Sequence, residues 1–572
     1  MQKWLTGLCL AGLLLLGVQA LAAVPETQTL SPQPDKAMPM PSSPKKPKGT
    51  MVFVPLDTRP VSKAYTADTM KAAGWEILLP PEELLSASAR AGHPDQLFDW
   101  LEEQAKGAVA VVVSADSLLY GGLVDSRTHH FDEAVLKSRA ERILGLKKKS
   151  GNPNVYVFVT IMRSPKASEA PVEPVYYRDW GPQLFRQGVL RDKAELEKLS
   201  RKESKELQDL NRTIPRNLAD DFYGRRKMNL RTTELLLHGV ESGSFNYLLI
   251  GRDDTAPLSQ AHKEARHLST LVSELPKEKI RFFSGADQLG LVLLTQAANR
   301  LTYTIPLVYT EYAPGKGGNT IPTYEDDTIA VSAREHIYAA GAFPAVKAAR
   351  ADFILAVNTP FDGRMAEASD AENNGIAGRH TQQFLDKVES YLNRGQKVIL
   401  SDSAYGNGAD NALVRELFRR GIAYKLSAYG GWNTSGNSLG FALAQGLESP
   451  FYEVDAAKEL LTVRYLDDWA YQANTRMHVY RTVIWPNQMP NSGFTEAQRK
   501  MAEAAIQEEI RNVAEPVMGD VVEQYDFRLP WNRMFEVQPM KKEAVTKASE
   551  KPEKETVAAA PEKENKPHGQ SL

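Results

Sequence analysis

The sequence has little cysteine and almost no net charge. Among its 572 residues there is one cysteine, Cys9, and 69 Lys and Arg residues nearly balance 71 Asp and Glu residues. Proteins that bind nucleic acids normally carry a basic surplus that neutralises phosphates, so we expect no nucleic-acid partner. The composition, 42% hydrophobic and 24% charged, is typical of a globular protein with a substantial core.

Long hydrophobic runs are scarce, and the longest lies at the N-terminus. The run Leu5 to Val18 follows Lys3 and precedes small residues at 20–22. This order predicts a secretory signal peptide over residues 1–23. A membrane span is disfavoured because the apolar run is shorter than the about 20 residues that a span needs. We therefore expect an exported protein, periplasmic or extracellular, with no membrane span after signal cleavage. Its mature part would lack cysteine, which excludes disulfides and thiolate ligands.

Both ends of the chain have the composition of linkers. Residues 24–49 are rich in proline, and residues 541–572 alternate Lys and Glu with Ala and Pro. Neither segment has a hydrophobic period with which it could bury apolar surface. We predict a Pro-rich linker at 24–49 and a disordered charged tail at 541–572.

Short β-branched runs alternate with amphipathic helical patterns between these ends. Continuous apolar runs of this kind predict parallel strands buried on both faces. The clearest runs are Val52 to Pro55, Val109 to Ser114, Val155 to Ile161, Phe245 to Ile250, Arg281 to Ser284, Leu307 to Tyr309, Phe353 to Val357 and Val398 to Leu400. Eight runs predict an α/β fold with a (β/α)8 barrel-like strand layer. Two doubly wound α/β units are the alternative, because Glu76 to Leu79 and Tyr424 to Leu426 also resemble strands.

Helical patterns interrupt and then replace this alternation. We predict an α/β catalytic domain at 50–440 that contains a helical insertion at 168–240, where charged residues recur at helical spacing. A helical C-terminal region is predicted at 441–540, since strand patterns fade after residue 440.

Polar residues follow nearly every predicted strand at its carboxyl end, where parallel α/β folds place their ligands. Any single Asp or Asn there could instead be a helix N-cap, so the prediction depends on their recurrence. Carboxylates, amides and arginines among aromatic rings suit a sugar, whose hydroxyls need hydrogen bonds and whose C–H faces pack on rings. The predicted substrate-binding residues are Asp57, Arg59, Asp116, Tyr120, Arg127, Arg163, Arg252, Asp287, Asn358, Asp402, Asn407, Trp432 and Asn433.

Adjacent carboxylates after one strand are the strongest catalytic candidates. Glycosidic cleavage usually needs two carboxyl groups, and closely held like charges raise one pKa, as a general acid requires. Asp253 and Asp254 fit this role, and Glu311 is the next candidate. The alternative for the pair is a strand-end cap with a salt bridge to Arg252 or Arg266.

Signatures of cofactor and metal sites are weak in this sequence. No strand is followed by a glycine-rich dinucleotide or phosphate loop, and no serine nucleophile elbow is found. The histidines lack the spacing of a zinc helix. We predict neither a cofactor nor a metal, although Asp57, Asp116, Asp253 and Asp402 could together hold a hard cation.

Four motifs in combination resemble a bacterial family catalogued as domain of unknown function 4127. They are Pro55-Leu56-Asp57-Thr58-Arg59-Pro60, the run from Ala115 to Leu123, Gly251-Arg252-Asp253-Asp254 and the run from Gly431 to Asn437. The resemblance covers most of residues 50–538 and implies no particular activity.

The Asp-Asp strand end, followed by Thr-Glu-Tyr and Asn-bearing strand ends, is also similar to the barrel of O-GlcNAcase-type β-N-acetylglucosaminidases. That resemblance implies that Asp253 orients a substrate acetamide, that Asp254 is the general acid and that Asn358 contacts the sugar. Arg252 before the pair departs from that family's pattern.

These patterns favour an exported glycoside hydrolase, or a related carbohydrate-active enzyme, with a carbohydrate as its substrate. A non-catalytic protein that binds sugars or cell-wall fragments is the first alternative, since the same polar cavity would hold a ligand without cleaving it. A metal-dependent hydrolase is the second alternative.

Overall fold

Parallel strands buried on both faces form the centre of the protein. The computed structural model describes residues 47–151 and 153–542. These residues belong to one compact unit. The predicted signal peptide, nearly all of the predicted linker and nearly all of the predicted charged tail lie outside the described residues.

Six strands form the first sheet, and all of their pairings are parallel. The strands are β1 Thr50–Val54, β2 Glu76–Leu78, β3 Ala110–Ser114, β4 Asn154–Ile161, β5 Tyr247–Arg252 and β6 Ile280–Ser284. Their order across the sheet is β2-β1-β3-β4-β5-β6. After β1 the chain forms β2 on one side of β1 and then β3 on the other side. Such a reversal of direction opens a crevice beyond the carboxyl ends of β1 and β3.

Five of the remaining strands form the second parallel sheet. The strands that follow β6 are β7 Leu307–Tyr312, β8 Phe343–Pro344, β9 Phe353–Asn358, β10 Ala366–Glu367, β11 Lys397–Asp402, β12 Tyr405–Gly406, β13 Ala428–Gly430, β14 Tyr525–Arg528 and β15 Gln538–Lys541. The order in the second sheet is β13-β11-β9-β7-β8, which repeats the order of the first five strands of the first sheet. A parallel pair, β10-β12, and an antiparallel pair, β14-β15, lie outside the two sheets.

Helices cover both faces of the two sheets. The α-helices are α1 Ala64–Ala72, α2 Pro94–Gln104, α3 Ala115–Leu119, α4 Leu123–Thr128, α5 Glu133–Lys149, α6 Tyr177–Leu196, α7 Arg201–Thr213, α8 Arg216–Glu241, α9 Gln260–Ser273, α10 Leu289–Leu301, α11 Ile329–Ala339, α12 Arg379–Asn393, α13 Asn411–Arg419, α14 Ser435–Glu448, α15 Val454–Arg464, α16 Arg476–Val479 and α17 Glu496–Met518. Two π-helical segments, Tyr465–Thr475 and Tyr480–Ile484, flank α16. None of the helices in the described part of the chain is long and apolar enough to cross a membrane.

A shared layer of helices joins the two sheets. Side chains alternate along β1, so Phe53 packs into the core cluster that contains α10 and α14 while Val54 faces the outer helices. The same cluster contains Leu355 and Ile399 of the second sheet. Gly440 and Gly446 lack side chains where α14 approaches Gln288 and Ile399, and any Cβ there would collide. The sheets therefore share one core cluster, and each also packs against a cluster of its own.

The structure confirms the α/β class with parallel strands and refines it. All eight predicted runs are strands, but the backbone hydrogen bonds of the described residues place them in two sheets rather than in one layer of eight. Tyr424 to Leu426 is not a strand; Ala423–Lys425 is a short 3-10 helix, and β13 begins at Ala428. Three helices lie between β4 and β5, within the predicted insertion and one residue beyond it.

The C-terminal region is not uniformly helical. The strands β14 and β15 follow α17 within the segment predicted to be helices, and α14 extends across the predicted boundary at residue 440. Because α14 packs between the sheets, this region is part of the same core.

Candidate functional site

Seven of the sixteen predicted site residues line one cavity at the carboxyl ends of the first sheet. This cavity of 310 Å3, here called the first cavity, is lined by residues that follow five strands of that sheet and by others from the second sheet and the C-terminal region. The predicted residues that line it are Arg59, Arg127, Arg163, Asp253, Asp254, Asp287 and Asn433. Asn433 follows β13 of the second sheet, so both sheets present their carboxyl ends to this cavity.

One ion-pair network connects the ends of β1 and β6. Arg59 Nε donates to Asp57 Oδ2 at 2.8 Å, and Arg59 Nη2 donates to Asp287 Oδ1 at 2.5 Å. All three side chains are buried. Burial raises the pKa of Asp287 to about 6 although Arg59 opposes the shift, since Asp57 adds a second negative charge. Asp287 therefore titrates close to neutral pH.

A second network alternates arginines and carboxylates. Arg127 Nη2 donates to Asp253 Oδ2 at 2.6 Å, and Arg163 Nη1 donates to Asp254 Oδ2 at 3.1 Å. Glu173 accepts from both arginines, at 3.4 Å from Arg127 and 2.8 Å from Arg163. Each aspartate of the adjacent pair thus has its own arginine. The alternative partners of the pair, Arg252 and Arg266, bind other carboxylates.

Asp254 has an unusual backbone and an unusual acidity. Its φ is +30°, a conformation that residues with a Cβ rarely adopt and that is concentrated at functional sites. Its side chain is 27% exposed, so it can reach a ligand in the cavity. Burial and the neighbouring Asp253 raise the pKa of Asp254, while Arg163 opposes that change. The two adjacent carboxyls therefore stand in different environments.

Asp116 lies behind the adjacent pair rather than on the cavity surface. Its carboxylate accepts from the backbone N–H of Thr160 at 2.9 Å and from the Thr160 hydroxyl at 3.0 Å. Complete burial, with the charge of Asp253 nearby, raises the pKa of Asp116 to about 7. Asp116 is not among the residues that line the first cavity.

The aromatic wall of the first cavity comes from the C-terminal region. Trp531 and Phe535 line the cavity together with Arg533, whose guanidinium lies 4.8 Å from the Trp531 ring. Trp432 packs behind Phe535 at 6.1 Å and is nearly buried. Tyr120 is also buried and stacks on His129. Neither Trp432 nor Tyr120, both predicted to bind substrate, is among the residues that line this cavity.

Two other predicted residues lie in the second sheet. Asn358 Nδ2 donates to Asp402 Oδ1 at 2.9 Å and to Asp410 Oδ2 at 3.1 Å. Asp402 also accepts from the Tyr429 hydroxyl at 3.0 Å. Burial and the charge of Asp410 raise the pKa of Asp402 to about 7. Asn358 and Asp410 line a separate cavity of 470 Å3, here called the second cavity.

A thin wall separates the two cavities. Asn407 donates its backbone N–H to the carbonyl of Asn433 at 2.9 Å and its side-chain amide to Glu367 at 2.8 Å. Glu367 also accepts from the Tyr324 hydroxyl at 2.6 Å. Asn407 and Asn433 both have a positive φ, 57° and 64°. The predicted residue Asn407 therefore belongs to this wall. Its partner Asn433 lines the first cavity, and Ala366, which precedes its partner Glu367, lines the second.

Two predicted residues are held away from both cavities by their own partners. Arg252 pairs with Asp326 at 2.7 Å and with Asp327 at 2.5 Å. Glu311 accepts from Lys387 at 2.6 Å and from the Tyr391 hydroxyl at 2.7 Å, and lines neither cavity. The structure does not bring Glu311 to the Asp253–Asp254 pair.

Sequence reasoning missed several residues of the first cavity. Trp531, Arg533 and Phe535 come from the loop between β14 and β15. Glu173 does not line the cavity but binds its two arginines, and it comes from the segment before α6. None of these residues comes directly after a strand of a parallel sheet. The aromatic and basic run 531–535 in a segment without helical period was the one signal that pointed to a ligand surface.

Among the residues that the structure describes, no group of three or more His, Cys, Asp or Glu side chains is arranged to hold a metal ion. Asp402, one member of the possible cation set, binds Asn358 and Tyr429 beside β11, whereas Asp57 pairs with Arg59 beside β1.

Comparison with known proteins gives a family but no activity. No curated protein and no solved structure matches the chain. A family model described as protein of unknown function (DUF4127) matches residues 51–539, which include both sheets and every residue named in the two cavities. The chain therefore belongs to the DUF4127 family.

Proposed function

We propose that the protein is an exported carbohydrate-active hydrolase whose reaction takes place in the first cavity, with Asp254 as the general acid. The observation that carries this proposal is the Asp253–Asp254 pair. Two adjacent carboxyls face one cavity, but Arg127 lies 2.6 Å from Asp253 while Asp254 has a positive φ and a raised pKa. A pair whose environments differ in this way is typical of an acid and its ionised partner.

The proposed step is the hydrolysis of a glycosidic bond. Asp254 gives its proton to the bridging oxygen as the bond between that oxygen and the anomeric carbon breaks. Water forms the new bond to that carbon, and its proton passes to the Asp253 carboxylate. Solvent exchange then restores both groups. Trp531 and Phe535 would pack on the sugar ring, and Asn433 would bind its hydroxyls.

The proposal does not require the (β/α)8 barrel that the number of strand runs suggested. Open parallel sheets also place ligands beyond their carboxyl ends, and the first cavity lies there.

A non-catalytic sugar-binding protein is the second candidate. Every aspartate that lines the first cavity is bonded to an arginine: Asp253 to Arg127, Asp254 to Arg163 and Asp287 to Arg59. Such complete pairing fixes the geometry of a binding surface.

Turnover and binding together separate the two candidates. Chromogenic glycosides, N-acetylhexosaminides among them, would be incubated with the mature protein, with and without EDTA. An enzyme of the proposed kind is active in EDTA, loses turnover in Asp254→Asn and still binds the glycoside. Asp220→Asn, on the exposed side of α8, is the matched control and keeps full activity. Binding without turnover in the wild-type protein favours the second candidate, and activity that EDTA abolishes favours a metal-dependent hydrolase.

Export is tested separately from activity. Expression of the full chain in a bacterium, followed by fractionation, should place the protein outside the cytoplasm. Mass measurement of that fraction should show loss of about 23 residues. A full-length protein confined to the cytoplasm would contradict this part of the proposal.

A further inference from the structure

We propose that the second cavity binds another sugar unit of the same glycan, so that the substrate is an oligosaccharide that spans both cavities. This inference rests on the proposed function, since it assigns the substrate's length and the place of its distal unit.

The second cavity lies where ligands bind in doubly wound sheets. Its lining comes from the loops that follow β9 and β11. The strand β9 also borders the point where the strand order reverses, because β8 lies on one side of β7 and β9 lies on the other. At 470 Å3 its volume exceeds the 310 Å3 of the first cavity. A volume of that size accommodates a sugar ring with its hydroxyl groups.

One polar group in this cavity has no partner in the protein. The Thr359 side chain is 2% exposed, and its hydroxyl forms no hydrogen bond with any other group in the described chain. A buried hydroxyl without a partner is unfavourable, so such groups usually bind a ligand or water. Thr359 immediately follows Asn358, whose amide is already bound to two carboxylates.

The other lining groups favour a neutral hydroxylated ring. Phe361 is 57% exposed although it is a large apolar residue, and it lies 5.6 Å from the His380 ring. Tyr405 forms part of the opposite loop. Three carboxylic residues line the cavity, Asp362, Glu372 and Asp410, against one arginine, Arg364. This excess of carboxylates disfavours phosphate and acidic sugars, while aromatic rings beside hydrogen-bonding groups suit a neutral one.

The wall between the cavities gives the continuity. Ala366 lines the second cavity and is followed by Glu367. Glu367 binds the Asn407 amide, and the Asn407 backbone binds Asn433, which lines the first cavity. Glu367 and Asn407 thus connect the lining of the second cavity to that of the first. A chain of a few sugar units can cross such a wall, and two linked binding sites then raise the affinity for the longer chain.

The test compares long and short chains in a protein that cannot cleave them. Dimers and hexamers of N-acetylglucosamine and of glucose would be titrated calorimetrically into full-length Asp254→Asn. The same titrations would be repeated after adding Thr359→Val or Phe361→Ala. Tyr303→Ala, whose side chain is 96% exposed on a distant turn, serves as the control. Thr359→Val keeps the side-chain shape and removes only the unpaired hydroxyl, so it should fold and unfold as the parent does.

The expected result is an affinity that depends on chain length. Hexamers should bind about tenfold or more tightly than dimers, and Thr359→Val and Phe361→Ala should each remove most of that advantage without changing dimer affinity. Equal affinities for both lengths, or equal losses for both, would overturn this inference while leaving turnover in the first cavity as the test of the proposed function. Failure of every chain to bind would overturn both.

Discussion

The two cavities both lie beyond the carboxyl ends of parallel strands, in two sheets of the same strand order, yet their polar groups are organised in opposite ways. In the first cavity, arginines and carboxylates alternate, and Arg127 and Arg163 hold the Asp253–Asp254 pair. In the second cavity, one amide, Asn358, bridges two carboxyls without an arginine. Topology therefore places a ligand site, whereas the residues that follow each strand decide its chemistry.

The largest expected difference between the cavities is in turnover. Asp254→Asn should lower kcat about 100-fold or more, because the amide cannot supply the proton to the leaving oxygen. Thr359→Val in the second cavity should change kcat for a short glycoside by less than about twofold, since it would touch only the distal unit. Steady-state kinetics of both variants measure this contrast. Equal losses of kcat would contradict the assignment of chemistry to the first cavity.

Stability should respond next most strongly, and again more in the first cavity. Arg127→Leu leaves the buried carboxylate of Asp253 without its arginine, while Glu173 keeps only Arg163, and the change should cost about 3 kcal/mol. Asn358→Leu leaves Asp402 and Asp410 without their shared donor, and should cost about 1–2 kcal/mol because these carboxyls can bind a proton instead. Urea unfolding of the two variants tests the order. A larger loss of unfolding free energy in Asn358→Leu than in Arg127→Leu would contradict this order.

The pH dependence of stability sharpens the comparison further. The pKa of Asp402 is raised to about 7 in the folded protein from about 3.9 when unfolded, so folding favours the protonated carboxyl. The contribution of this protonated carboxyl to the free energy of unfolding is complete below pH 4 and is lost as pH rises to 7. Wild-type protein should therefore lose about 3 kcal/mol over that range relative to Asp402→Asn. The free energy of unfolding of both proteins would be measured with urea at pH 4 and at pH 7. The same change with pH in both proteins would show that the pKa of Asp402 is not raised by folding, which would contradict this prediction.

The smallest effect should come from the rim of the second cavity. Arg364 pairs with Asp362 at 2.7 Å, but its side chain is 90% exposed. Arg364→Ala should change the free energy of unfolding by less than about 0.5 kcal/mol, because water screens the pair. Urea unfolding in low and high salt checks this. A clear loss in either condition would indicate that the loop after β9 depends on this ion pair.

The sequence was most informative where burial dictates a simple pattern. The eight apolar runs are strands, because a strand covered on both faces must be apolar throughout. Their division between two sheets depends on which strand pairs with which, and this is a long-range property that no local pattern encodes. The short strands β8 and β13 were missed for a related reason, since two or three residues give no period.

Site residues were predicted where they follow a strand directly. Seven of the predicted residues line the first cavity, among them Arg59, Arg163 and Asn433. Glu311 also follows a strand, but its side chain is taken up by Lys387 and Tyr391. Trp531 was missed because it comes from the C-terminal loop, and only tertiary packing brings it to the cavity. Glu173 was missed because it comes from the segment before α6, and only tertiary packing brings it to the cavity's arginines.

The most direct test of the account is to measure turnover and binding of one glycoside in parallel, in wild-type protein and in Asp254→Asn. The account predicts hydrolysis by the wild-type protein, a loss of kcat of about 100-fold or more in the variant, and an unchanged Kd in both. Binding without hydrolysis in the wild-type protein, or full activity in Asp254→Asn, would contradict the claim that the first cavity is a catalytic site built around that residue.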